Sequence, residues 1–210
     1  MAKKSFLINN LYLGPLELWK HLFKKDEIIL ECHENYQKKS YRNKCDILCS
    51  SGVEVLSIPL KKGKHGGVNI KEVEISYDTD WQRLHVKKIK DAYIKAPYYD
   101  YYIPSLEGLI MGSDTFLFDF NYKLFLWTLD SLNLTKTITQ SQDFYLSVPS
   151  SIIDGRPLSK LNQNPIATTY PIYPQVYEYK FGFKPNLSIV DLLMNQGPEA
   201  IVYLKQLQEK

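Results

Sequence analysis

The sequence predicts an α/β fold: a single domain in which a mixed, largely antiparallel sheet is packed by several helices. Three observations lead there. Short apolar runs, Phe6 to Ile8 and Glu27 to Leu30, have the length and composition of strands. Longer segments, Leu16 to Phe23 and Ser113 to Leu132, repeat apolar residues at helical spacing. Cys45 to Cys49 and Val53 to Ile58 are joined through Ser50, Ser51 and Gly52 in the manner of a hairpin, and the strict strand-helix-strand alternation of a doubly wound sheet is missing. With 210 residues, 44% of them hydrophobic, one domain can bury a core without covalent staples.

Phe6 to Ile8 reads as a first buried strand. Gly14 and Pro15 open a helix, since proline suits a first helical turn, and Leu16, Trp19, Leu22 and Phe23 share its apolar face. His21, beside that stripe, reads as structural or surface. Residues 27 to 33, if extended, send Cys32 and His33 to opposite sides. Lys61 to Gly67 is a glycine-rich loop without the spacing of a phosphate-binding P-loop. Val73 and Ile75 alternate with polar residues as in a half-exposed strand. Thr79 to Gln82 matches a capping box, after which Trp81, Leu84, Ile89, Ala92, Tyr93 and Ala96 turn inward until Pro97. His85 falls on or near that inward stripe. It reads either as a core histidine or as a site residue behind the strands.

Tyr98 to Tyr102 is a dense aromatic cluster suited to core or interface. Ser113 to Leu132 is the longest helix candidate, with Asp119 and Asn121 in its early turns. Lys136 to Gln140 reads as a short strand. From Ser147 to Pro174 the periodicity fails among repeated prolines, and a long connection of this kind is commonly a lid, in which Arg156 and Lys160 would suit anion contact. Ser188 to Asp191 forms a second capping box, Gly197 stops the helix it starts, and Pro198 opens a terminal one.

A charge of +3, from 26 basic and 23 acidic residues, argues against a dedicated nucleic-acid coat. An odd number of cysteines, three, and the absence of a secretory signature point to reduced thiols and a cytoplasmic location. No apolar run reaches the roughly 18 residues of a membrane span, so none is expected. Zinc is disfavoured: on an extended strand Cys45 and Cys49 stand roughly 13 Å apart, too far for one tetrahedral centre. No dinucleotide fingerprint or hydrolase elbow occurs. No cofactor is identified.

The stretch from Glu31 to Ile47 draws the working surface together: a polar, aromatic and basic insert between strand-like segments. Lys38, Lys39, Arg42, Lys44, Lys61, Lys62 and Lys64 concentrate here and in the loop that follows, the signature of either an anion site or a lysine-protected strand edge. Within it His33 is a candidate base, with His85 supporting it. Tyr36, Lys38, Ser40, Arg42 and Asn43 are candidate substrate-binding residues, the cations suited to phosphate or carboxylate. Such parts fit group transfer involving an anionic small molecule. They also describe a non-catalytic phosphate or nucleic-acid module stacking on Tyr36 and Tyr41, with nucleic acid the lesser expectation, while the tyrosine cluster would serve a scaffold.

These residues also carry a family resemblance. His33, Tyr36, Lys38, Ser40 with Tyr41, and Arg42 with Asn43 resemble the signature of the WbqC-like family of bacterial proteins, often associated with surface-polysaccharide and O-antigen gene clusters. The likeness continues through Leu56 to Leu60, Val73 to Ile75, Trp81 to His85, Ala96 to Tyr98, Phe118 to Asn121, Tyr173 to Gln175, Pro185 to Ser188, Asp191 to Leu193 and Gly197 with Pro198. It departs at Cys32 and His33, where many members carry two adjacent acids, and near the N-terminus, where only Tyr12, Pro15 and Trp19 match. The resemblance implies an acyl or aminoacyl transferase acting on a sugar nucleotide or related precursor.

Overall fold

The computed structural model describes residues 4–61, 67–161 and 170–207. Its strands are β1 (Ser5–Asn9), β2 (Glu27–Glu31), β3 (Lys44–Cys49), β4 (Gly52–Ser57), β5 (Thr137–Gln140) and β6 (Ile152–Asp154). Its helices are α1 (Leu16–Phe23), α2 (Trp81–Tyr93), α3 (Tyr99–Ile110), α4 (Leu117–Ser131), the single turn α5 (Glu178–Phe181), α6 (Ile189–Gln196) and α7 (Ala200–Gln206). Lys62, Lys64 and Pro165, with most of the glycine-rich loop, lie outside the described residues.

The expected largely antiparallel sheet is overturned. The main sheet has four strands in the order β5-β2-β1-β6, and every neighbouring pair in it is parallel. The physical reason begins at the N-terminus. Helix α1 carries the chain from the end of β1 back to its starting edge, so β2 can only lie alongside β1 in the same direction, with Phe6 opposite Ile28 and Asn9 opposite Glu31. Strands β5 and β6 arrive after long excursions and add to the two outer edges. Antiparallel pairing is confined to β3 and β4, the hairpin expected through residues 50 to 52, which forms a two-stranded sheet of its own. Phe6, Leu7 and Ile8 are all buried. An unbroken apolar run marks a parallel strand covered on both faces.

Helices α2 and α6 pack on β3, while α3 lies against α2, α4 and α6, and α1 against α6 and α7. Trp19 of α1 stacks on Phe125 of α4 at 5.6 Å between ring centroids. The box at Thr79 is not realised: Asp80 caps α2 without a side-chain bond, Gln82 Nε2 donates instead to the Ile110 carbonyl at 2.6 Å, and Leu84 points to solvent. Residues 113 to 116, expected as helix, run extended beside Val73 to Ile75, where Leu117 N–H donates to the Val73 carbonyl at 2.8 Å. Ser188 caps α6, its hydroxyl accepting from Val190 N–H and donating to the Leu13 carbonyl at 2.7 Å, but the expected box does not close, because Ser188 N–H donates to the Asp46 carbonyl and the Asp191 carboxylate accepts from Tyr173 and Gln175. No helix among the described residues is long and apolar enough to cross a membrane.

Candidate functional site

Ligands of open parallel sheets sit beyond the carboxyl ends of the strands. Here that end gathers Asn9 and Asn10 from the end of β1, Glu31 to Glu34 from the end of β2, Ser141 just after β5, and Asp154 to Arg156 from the end of β6. The Glu31 carboxylate is wholly buried. It accepts from His33 N–H at 3.0 Å, from Ser141 Oγ at 2.8 Å and from Arg156 Nη1 at 3.3 Å. Ser141 also receives Cys32 N–H at 3.1 Å, and its carbonyl accepts the Cys32 thiol at 3.2 Å, so β5 anchors the turn that leaves β2.

Arg42 lies deeper. Its relative exposure is 1%, and its guanidinium grips the buried Glu34 carboxylate at two points, Nε to Oε1 at 2.8 Å and Nη2 to Oε2. A third nitrogen, Nη1, donates to Ser159 Oγ at 3.2 Å, and that hydroxyl donates onward to the Arg156 carbonyl at 2.8 Å. Arg156 closes the ring. It holds Asp154 by two 2.9 Å bonds, donates to the Tyr145 carbonyl at 2.9 Å and lies over the Phe144 ring. Burial works against the charged form of Asp154, but the hydrogen bonds from Arg156 outweigh it and keep that carboxyl below its ordinary range. The result is a cross-strand network of Glu31, Glu34, Arg42, Asp154 and Arg156, in which each carboxylate meets a guanidinium and Arg156 serves two of them.

Above this network the stretch from Tyr36 to Lys44 forms one wall of a basic groove of about 550 Å³, whose other wall is the chain from Ser57 to Lys61. Tyr36 OH donates to Asn43 Oδ1 at 2.9 Å, and Asn43 Nδ2 donates to the Ile58 carbonyl at 2.9 Å, tying the two walls together. Ser40 Oγ donates to the Gln37 carbonyl at 2.7 Å and closes the intervening turn, in which Lys39 adopts a φ of 55°. Lys61 pairs with Glu74, and Lys44 lends charge to Asp46. Lys38 and Lys39 are exposed and carry neither ion pair nor side-chain hydrogen bond among the described residues.

The candidates named from the sequence therefore separate into layers. Tyr36, Lys38 and Asn43 line the groove, and Ser40 and Arg42 brace it from within. His33 is exposed at the mouth of the strand end, its backbone fixed by Glu31. His85 stands behind, in the core. Tyr12 OH and the His85 Nδ1 share a 2.9 Å hydrogen bond, and the imidazole ring also bonds the Ser57 backbone. Burial is the first cause of a His85 pKa lowered to about 4, so the ring is neutral at pH 7. Tyr12 N–H donates to the Tyr41 carbonyl at 2.9 Å, and Asn121 Nδ2 to the Arg42 carbonyl at 2.7 Å, so both braces reach the stretch through its backbone.

Glu34, Glu31, Ser141, Asp154 and Ser159 were not anticipated as members of this assembly. The available signal was Glu31 at the end of an apolar strand with Glu34 three positions on, flanking the positions where two adjacent acids were expected.

The WbqC-like protein family matches the chain over residues 11–163 and 159–203. An uncharacterized protein of Mycobacterium tuberculosis is 27% identical over 207 residues, covering 86% of this chain and 88% of that protein. No solved structure matches.

Proposed function

The chain belongs to the WbqC-like protein family, and from that premise we propose a cytoplasmic transferase that moves an acyl or aminoacyl group onto a sugar nucleotide or related surface-polysaccharide precursor. The observation that carries the reading is the basic groove with two lysines that have no ion pair among the described residues. Lys38 and Lys39 present ammonium groups beside the Tyr36 and Asn43 wall, where they suit the phosphates of a nucleotide-linked sugar. Arg42 holds the groove's shape, because its guanidinium is committed to Glu34 and buried.

In the reaction, an amine or hydroxyl of the bound precursor attacks the carbonyl carbon of an activated acyl ester or thioester. The new bond to carbon forms as the bond to the leaving oxygen or sulfur breaks. His33 takes the proton of the nucleophile and returns it to the leaving group. His85 acts at one remove, holding Tyr12 and through it the Tyr41 carbonyl. A stacking module for nucleic acid is less well supported, because Tyr36 and Tyr41 are 6% and 8% exposed and offer no free ring face.

The test is turnover of a nucleotide sugar with an acyl donor by the His33→Ala protein. A rate lower by about 10² to 10⁴ with undiminished binding supports the assignment of the base. Unchanged turnover sinks it.

A further inference from the structure

We propose that a second cleft, between α3, α4 and the start of α7, binds a ligand bearing an alkylammonium group. At about 890 Å³ it is larger than the basic groove, and its charge is opposite. Tyr98, Tyr101 and Trp127 line it together with Asp100 and Asp130, with the buried Tyr102 as backing, and no lysine, arginine or histidine does. The chain carries a net charge of +3, and its other surface acids mostly find partners, as Glu54 does in Lys88, Glu107 in Lys90 and Asp114 in Lys123. The Asp100 and Asp130 carboxylates have no ion pair or hydrogen bond among the described residues.

The aromatic wall is held in place. Trp127 Nε1–H donates to Ser105 Oγ at 2.9 Å, and its ring meets Tyr102 edge-on at 6.3 Å. Tyr101 stands edge-on to Tyr102 at 4.8 Å and is 77% exposed. Gly197 has a φ of 51°, and a Cβ there would fall on the Tyr98 ring, so glycine is what lets that ring lie against the backbone. Pro104 sits inside α3 without an N–H, which deprives the Asp100 carbonyl of its helical donor.

Ring faces carry negative potential and the carboxylates add to it, so the cleft favours a cation whose alkyl groups can also contact the rings. A phosphate would be repelled. A neutral sugar would gain from the rings and nothing from the charge. This assignment is independent of the transfer reading, since it uses neither Lys38 nor His33.

Trp19 and Trp81 are buried and Trp127 is partly exposed, so quenching of tryptophan emission reports on this cleft. The experiment titrates the full chain with choline, with its neutral isostere in which a tert-butyl group replaces the trimethylammonium, and with glucose. Saturable quenching by choline, at least about tenfold tighter than by the isostere, is expected. The Asp100→Asn/Asp130→Asn protein, checked for native circular dichroism, should bind choline about tenfold more weakly. Equal affinity for the isostere, tighter binding of glucose, no saturable response to choline, or full retention in the double variant would each overturn the proposal. Should the variant misfold, the comparison of choline with its isostere on the natural chain decides alone.

Discussion

Replacing Arg42 by methionine keeps most of the aliphatic stem and removes the guanidinium. It leaves the Glu34 carboxylate, 3% exposed, without its two donors, and Ser159 Oγ without Nη1. Removing one partner of a buried ion pair costs about 3 to 5 kcal/mol, most of it the desolvation of the orphaned charge. For a chain of this size each kcal/mol lowers Tm by about 2 to 4 °C, so a fall of about 6 to 20 °C is expected. Glu34→Gln combined with Arg42→Met removes both charges and should recover at least about 2 kcal/mol of the single loss. Urea unfolding followed by circular dichroism measures all corners of this double-mutant cycle. If Arg42→Met costs less than about 1 kcal/mol, or the two substitutions simply add, Arg42 is not the structural brace described above and its assignment to ligand becomes the better one.

Two further predictions concern buried titrating groups. Asp191 accepts from Tyr173 OH at 2.6 Å and from Gln175 Nε2 at 2.9 Å, yet burial prevails and raises its pKa from 3.8 to about 6. A carboxyl whose folded pKa lies above its unfolded value loses stability as pH rises through that window. The stability of Asp191→Asn relative to the natural chain should therefore increase by about 2 kcal/mol from pH 4 to pH 7, and a flat difference refutes it. His85 has the opposite sign. Its folded pKa of about 4 lies below the ordinary 6.5, so its contribution is complete above pH 6.5 and is lost as pH falls toward 4. An imidazole resonance titrating near 4 by NMR agrees, and a midpoint near 6.5 does not.

What was legible from sequence was local. The hairpin of β3 and β4, the apolar face of α1, the Ser188 cap and the stop at Gly197 follow from spacing and turn chemistry within a few residues. The direction of the main sheet is harder to read, because parallel partners are set by crossovers of a dozen residues or more. The run of strand, helix and strand over residues 5 to 31 did hold that information, but the hairpin read as part of the same sheet and hid it. Strand β6 is three residues long amid prolines, and what fits it against β1 is Gly155, where a Cβ would stand 2.5 Å from the Phe6 ring. Helix α3 was obscured by Pro104 in its interior. At the site, Tyr36, Lys38 and Asn43 line one groove. The commitment of Arg42 to Glu34 was out of reach, because a buried and an exposed arginine are the same letter until the surrounding fold is known.

If the Lys38 and Lys39 groove binds an anionic precursor, isothermal titration calorimetry with a nucleotide diphosphate sugar will register it. Binding that weakens with added salt, and that falls at least about tenfold in a Lys38→Ala/Lys39→Ala protein of unchanged Tm, is the predicted result. Binding of equal strength in the double variant would place the ligand elsewhere and contradict the claim.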